Sequence, residues 1–253
     1  MPHFSNSNNL FSLEGKTALL TGGSSGIGAA IAIGFLKADA KIAIFDVNVS
    51  DKLPSKIKFY SVNVSNKDEL EESFKIFLDD YSEIDILINN AAITVPATSE
   101  DYPIDDWYRT LETNLSAVFS LSKLVGKQMI KQNKGGSIIN ITSIGALQGF
   151  PNNPAYCSTK GGVRQLTKAL AHDWGKYRIR VNNLVPGYTH TPMNQKSWED
   201  NNSRQERATH TMLGRWAEPE DMIGAAIFLA SDASSYVTGS DLCVDGGWTA
   251  KGM

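Results

Sequence analysis

A chain of 253 residues with 42% hydrophobic and 20% charged content has a globular composition and enough apolar mass for one sizeable core. Its formal net charge of -3 offers no field for a polyanion, so nucleic acid is not expected as a partner. No run approaches the roughly 18 apolar residues of a membrane span. The start, MPHFSNSNNL, lacks the apolar segment of a signal peptide, so the expectation is a cytoplasmic protein with a loose polar arm over residues 1–12.

The first β-rich run, TALLT at 17–21, leads straight into TGGSSGIGAAIAIGFL. Gly22, Gly26 and Gly28 then sit at a strand-to-helix junction, where the turn needs positive φ, a phosphate needs close backbone approach, and the helix must pack tightly on the sheet. Ser24, Ser25 and Ile27 complete the loop, and the exposed N–H groups and dipole of the helix favour an anion there. Glycines alone are also compatible with a ligand-free turn; the position directly after the first strand favours the nucleotide. The second run, KIAIFD at 41–46, ends on Asp46, where a carboxylate accepts both hydroxyls of an adenosine ribose. A 2′-phosphate there would bring a like-charge pair, costing about 4 kcal/mol at 4 Å and an effective dielectric of 20. With Val47 next and no basic residue at hand, the expected cofactor is NAD.

Only eleven residues, interrupted by Pro54, separate this run from KFYSVNV at 58–64, so that crossover should be a turn or a stub. Further along, DELEESFKIFLDDY precedes the strand DILINN at 85–90, and a long helical stretch at 105–131 precedes GSIINIT at 136–142. A helix at 156–175 precedes IRVNNLV at 179–185, and PEDMIGAAIFLAS precedes DLCVD at 241–245. Seven strands, apolar on both faces and separated by helices, predict a single doubly wound α/β domain of Rossmann type over 13–253, its parallel sheet covered on both sides. The polar, aromatic-dotted segment around 187–218 reads as a substrate lid. Cys157 and Cys243 form no Cys-x-x-Cys pair; Cys157 reads as packing and Cys243, alternating with apolar neighbours, as core. The four histidines fall at no metal-ligand spacing, so no metal is expected.

In NPAYCSTKGG, at 153–162, Tyr156 and Lys160 lie one helical turn apart. Such pairs are common on ordinary surface helices, and the rest of the chain decides. Together, TGGSSGIG, NNAA at 89–92, Asn114, Ser143, YCSTK and PGYTHT at 186–191 resemble the short-chain dehydrogenase/reductase family, and YVTGSDLCVDGGW is similar to its C-terminal segment. The likeness runs from Leu13 to Trp248. It implies an oxidoreductase that moves a hydride between NAD(H) and a secondary alcohol or ketone, with Tyr156 as acid/base. Free tyrosine titrates near 10, so work near neutrality needs about 3 to 4 kcal/mol of phenolate stabilisation, expected from Lys160 and oxidised nicotinamide.

The resemblance also implies that Ser143 hydrogen-bonds the reacting oxygen and that Asn114 positions a water beside Lys160. Read alone, Ser143 is a helix cap and Asn114 a helix irregularity. It further implies cofactor contacts from Asn63, Val64, Asn90, Ala91, Pro186, Gly187, Thr189 and Thr191. The chain departs from the family pattern at Ala92, where a glycine is usual, and at Asn63, whose amide oxygen can still accept from an adenine amine.

The resemblance also implies substrate contacts from Thr94 and Val95, from Leu147, Gln148, Asn152 and Asn153, and from Tyr188, His190, Met193 and Trp198. Amides and hydroxyls among apolar surface lean toward a sugar, polyol or sugar acid. A 3-oxoacyl thioester reductase and a catalytically silent nucleotide sensor on the same fold are the alternatives. The resemblance implies a homotetramer, with helices 105–131 and 156–175 as its interfaces.

Overall fold

A computed structural model describes residues 10–252; most of the expected arm, residues 1–9, lies outside the described residues. One sheet carries seven strands, β1 (Thr17–Thr21), β2 (Lys41–Asp46), β3 (Lys58–Ser61), β4 (Ile86–Asn89), β5 (Gly136–Ile141), β6 (Ile179–Pro186) and β7 (Asp241–Val244). They are ordered β3-β2-β1-β4-β5-β6-β7, every pairing being parallel. The order in which successive strands are added reverses between β1 and β4, which opens a crevice at the carboxyl ends of the strands.

Helices α1 (Gly26–Lys37), α2 (Lys67–Tyr81), α3 (Ile104–Leu111), α4 (Ala117–Gln132) and α5 (Pro154–Trp174) follow in turn. After β6 come α6 (Gln195–Glu199), α7 (Asn201–His210) and α8 (Ile223–Ala230). The central strands β1, β2, β4, β5 and β6 are buried on both faces because two apolar layers cover them, while the edge strands β3 and β7 are only partly covered. On one side Ile31 and Phe35 of α1 meet Ala226 and Leu229 of α8; on the other, Phe74, Phe77, Leu121 and Leu170 bring α2, α4 and α5 onto the sheet.

Through this second layer runs a line of buried polar side chains. Asn89, Asn140 and Asn183 stand in register on β4, β5 and β6. Asn89 Nδ2 donates to Ser122 Oγ of α4 at 3.0 Å and to Asn140 Oδ1 at 2.8 Å. Asn140 donates to Thr167 Oγ1 of α5 at 2.8 Å, which donates to Asn183 Oδ1 at 2.6 Å. Asn183 donates to Asp241 at 2.7 Å, and Arg164 of α5 closes the line on the same carboxylate at 2.6 Å. Each buried polar group thereby has a partner, and the network fixes how α5 sits on the sheet.

Several expected boundaries move. Residues 62–64 leave β3 because the last β2 partner is Asp46, whose carbonyl accepts from Val62 N–H at 2.9 Å before the chain turns into α2. The expected helix at 105–131 is divided by a π turn, Glu112–Ser116. A 3-10 turn, Pro219–Met222, precedes α8, and residues 47–57 contain no helix. Cys243, expected in the core, is exposed: β7 is an edge strand with β6 on one side only. Among the described residues no helix is long and apolar enough to cross a membrane.

Candidate active site

A cavity of about 890 Å³ opens over the carboxyl ends of the strands. Its floor at one end is the glycine loop, where Gly22 and Gly26 have φ of 65° and 52°. A Cβ on Gly22 would stand 2.8 Å from Ala91 Cα, and one on Gly28 would stand 2.2 Å from the Gly22 carbonyl oxygen. The loop therefore closes against β4 and α1 only because side chains are missing. Asn90 locks it, donating from Nδ2 to Gly22 O at 2.7 Å, while Thr21 Oγ1 accepts the N–H of Asn90 and Ala91. Ala92, also at the cavity, has no positive φ, so its methyl brings no backbone strain.

Gly22, Ser25, Gly26 and Ile27 border the cavity, whereas Ser24 and Gly28 do not. Gly28 makes the helix–loop contact, and Ser24 turns toward β2: its N–H donates to Asp46 Oδ2 at 3.0 Å, and its buried hydroxyl has no partner among the described residues. Asp46 is further held by Asn48 N–H at 3.3 Å and lines the cavity with Val47, Asn63 and Val64. The Asn63 amide oxygen, assigned to adenine from the sequence, already accepts Ser65 N–H at 3.1 Å and Ser65 Oγ at 2.7 Å. The opposite wall includes Pro186, Gly187, Thr189 and Thr191. A backbone cradle without Cβ atoms, a helix N-terminus and a fixed carboxylate are the donor and acceptor set that suits a dinucleotide's phosphates and ribose.

Tyr156 and Lys160 reach the cavity from the first turns of α5, which starts at Pro154. Lys160 is 4% exposed; its Nζ donates to Ile141 O at 2.7 Å and lies 5.6 Å from the Tyr156 ring centroid. Burial pulls the Lys160 ammonium down to about 8. Burial also pushes the Tyr156 phenol up to about 12, against the opposing pull of its hydrogen bond with Ser143, while Cys157 and Tyr188 add to the rise. The protein alone thus does the reverse of the expected depression, because a buried phenolate loses its hydration and Lys160 is engaged by a carbonyl.

Ser143 combines both readings of it. Its Oγ accepts Gly145 N–H at 3.0 Å, capping the turn Ile144–Ala146, and the hydroxyl also meets Tyr156. Asn114, fully buried in the π turn, accepts from Ile93 N–H and donates to Ile93 O, both at 2.8 Å, and does not border the cavity. Its side-chain amide fastens the segment after β4.

Thr94 and Asn153 line the cavity and bond each other, Thr94 Oγ1 donating to Asn153 Oδ1 at 2.9 Å. Asn152, Tyr188 and Met193 line it as well; Val95, Leu147, Gln148, His190 and Trp198 do not. Gln148 Oε1 accepts from Trp248 Nε1 at 2.9 Å, and His190 stacks on Trp198 at 4.1 Å with Nδ1 3.6 Å from Glu218. Both belong to an outer aromatic layer. Phe150, Lys196 and Arg207 border the cavity although sequence reasoning did not single them out. Nothing in the polar run around Arg207 marks it; its position follows from stacking on Tyr188, with Cζ 4.5 Å from the ring centroid. No cluster of metal-ligating side chains occurs among the described residues.

A family model described as "Enoyl-(Acyl carrier protein) reductase" matches residues 22–249. The chain is 36% identical over 244 residues to a 3-oxoacyl-[acyl-carrier-protein] reductase of Thermotoga maritima, covering 93% of this chain and 98% of the relative. It is 37% identical over 251 residues to a 2-dehydro-3-deoxy-D-gluconate 5-dehydrogenase of Pseudoalteromonas atlantica, covering 95% and 98%. The crystal structure of a gluconate 5-dehydrogenase from Burkholderia cenocepacia, in complex with NADP and tartrate, superposes with a TM-score of 0.91 at 36% identity, covering 96% and 98%. With the glycine cradle, the parallel sheet and the Ser143, Tyr156 and Lys160 constellation in one cavity, the chain belongs to the short-chain dehydrogenase/reductase family, oxidoreductases acting on CH–OH groups.

Proposed function

We propose that this oxidoreductase exchanges a hydride between NAD(H) and the secondary alcohol or ketone of a sugar, polyol or sugar acid, with Tyr156 as acid/base. The observation that carries the reading is the shared cavity, which puts the Ser143 and Tyr156 hydroxyls at one end and the Asp46 carboxylate at the other.

Nicotinamide, when bound, supplies the hydride acceptor or donor and, in its oxidised form, a positive charge. The glycine loop and the α1 N-terminus hold phosphates, and Asp46 accepts the ribose hydroxyls. Ser143 donates to the substrate oxygen and Tyr156 exchanges a proton with it. A phenol titrating near 12 is protonated at neutral pH, so Tyr156 is ready to protonate a carbonyl. Alcohol oxidation instead requires the phenolate, which the protein alone does not stabilise, so the positive charge of the oxidised ring would have to supply the depression.

NAD is favoured over NADP because the residues beside Asp46 on the cavity wall, Phe45, Val47, Val62, Asn63 and Val64, include no cation to pair with a 2′-phosphate. The Burkholderia relative carries NADP, so the preference rests on this chain's own wall. The gluconate-type relatives support a polyhydroxylated substrate. The Thermotoga relative supports the second reading, a 3-oxoacyl thioester reductase. A homotetramer fits the exposed Ile104 and Tyr108 of α3 and Phe119 of α4, apolar surface that a partner helix would cover. A lid over 187–218 and a cytoplasmic location belong to the same reading. An NADH absorbance screen over sugars, polyols, sugar acids and 3-oxoacyl thioesters tests it. Turnover of a polyhydroxylated compound is expected; turnover of thioesters alone would replace the reading by the second.

A further inference from the structure

Of the chain's seven arginines, six donate to a carboxylate or a main-chain carbonyl. Arg109, Arg164 and Arg215 reach the carboxylates of Asp106, Asp241 and Asp221, and Arg178, Arg180 and Arg204 reach main-chain carbonyls. Arg207, on α7, differs. Its Nη1 is buried and meets no hydrogen-bond acceptor among the described residues. Asp200, whose charge it feels, is engaged instead with Ser203 N–H at the start of α7. A guanidinium at a cavity wall that has no carboxylate or carbonyl partner among the described residues keeps donors for an incoming one.

The rest of the side chain is fixed. Cζ lies 4.5 Å from the Tyr188 ring centroid and 5.7 Å from that of Trp216, and the Tyr188 hydroxyl takes a hydrogen bond from the guanidinium. Stacking of this kind holds the plane of the fork and leaves an edge for two parallel hydrogen bonds to one carboxylate. Arg207 borders the same cavity as Tyr156 and Ser143. Tyr188 links the two places, carrying Arg207 on its ring while lying close enough to Tyr156 to raise its pKa. The other cations on the cavity wall are differently placed: Lys160 donates to Ile141 O, and Lys196 is exposed.

We propose that Arg207 is the substrate's carboxylate anchor, so that the compound turned over is a polyhydroxy acid with its acid group on Arg207 and its reacting carbon at Tyr156. This rests on the sugar-type reading above and narrows it to acids. The hydroxyls along such a ligand would meet Thr94 and Asn153 on the same wall.

The test compares D-gluconate with D-sorbitol, which share a carbon count and differ in the carboxylate, using NAD reduction by the wild type, Arg207→Lys and Arg207→Gln. The wild type should favour gluconate. Arg207→Gln should raise KM for gluconate roughly 10- to 100-fold, the loss of a charge-assisted bidentate contact, while KM for sorbitol and for NAD stays unchanged. Arg207→Lys should fall between. Quenching of tryptophan fluorescence by gluconate in the presence of NADH should report the same change in Kd without turnover. An unchanged gluconate KM and Kd in Arg207→Gln, or equal losses on both substrates with NAD binding intact, would overturn the anchor. A wild type that oxidises sorbitol as well as gluconate would overturn it too, while leaving the polyol reading standing. If neither compound is oxidised and a 3-oxoacyl thioester is reduced, the sugar reading falls and the anchor with it.

Discussion

Replacing Asp46 by alanine should shift cofactor preference toward NADP. The carboxylate is held at the end of β2 by Ser24 N–H at 3.0 Å and Asn48 N–H at 3.3 Å, so it cannot swing away from an added 2′-phosphate. A like-charge pair at 4 Å costs about 4 kcal/mol at an effective dielectric of 20. The group is partly open to solvent at the cavity rim, and physiological salt screens over about 8 Å, so about half of that should be realised. Two kcal/mol corresponds to roughly a 30-fold rise in kcat/KM for NADP. The same change removes the charged acceptor for two ribose hydroxyls, and kcat/KM for NAD should fall by about 10- to 100-fold, the roughly 1.5 to 3 kcal/mol of a hydrogen bond to a charged group. Initial rates at saturating substrate with each cofactor varied measure both numbers. A wild type that prefers NADP, or a variant whose NADP-to-NAD ratio does not move, would refute the reasoning.

The asparagine ladder gives a stability prediction: Asn140→Ala leaves one of the two Asn89 amide N–H groups without an acceptor and the Thr167 hydroxyl without a donor, at about 1 to 3 kcal/mol for each buried orphan. Thermal unfolding should therefore occur about 10 °C lower in this size of domain; a change of a degree or less would show that the ladder contributes little. Lys160 gives a pH prediction. Below about pH 8 it is charged in both folded and unfolded states and its burial penalty is fully felt; from there to 10.5 the unfolded chain alone keeps the proton. Stability should climb across that window by roughly 3 kcal/mol. Tyr156 acts in the opposite sense: its stabilising neutral form is lost as pH rises from 10 to about 12. Urea midpoints of the wild type and Lys160→Met at several pH values should diverge between pH 8 and 10, and parallel curves would argue against a depressed Lys160.

The strands were legible in the sequence because parallel strands buried on both faces must be continuous apolar runs, and the glycine loop because only glycine fits where a Cβ would meet a carbonyl oxygen at 2.2 Å. What depends on packing in three dimensions was less so. Three asparagines inside otherwise apolar strands are visible in DILINN, GSIINIT and IRVNNLV, yet their alignment follows from sheet register, which the one-dimensional pattern does not contain. Asn114 and Ser143 were identified as residues, but the π turn and the bonds to Ile93 and Gly145 decide what their atoms are free to do. Gln148 and His190, expected at the substrate, stand outside the cavity lining beside Trp248 and Trp198, an arrangement made by packing that the one-dimensional pattern does not contain. Arg207 had no sequence signal, because its environment is assembled from the Tyr188 and Trp216 rings on either side of α7.

The central claim is that Tyr156 moves the proton that accompanies hydride transfer. Tyr156→Phe, which removes one oxygen and keeps the ring, tests it most directly when turnover and NADH binding are measured on the same preparation. Turnover should fall by at least the roughly 10² to 10⁴ that a positioned acid/base contributes, with the Kd for NADH unchanged. Turnover retained at the wild-type level with NADH still bound would contradict the claim.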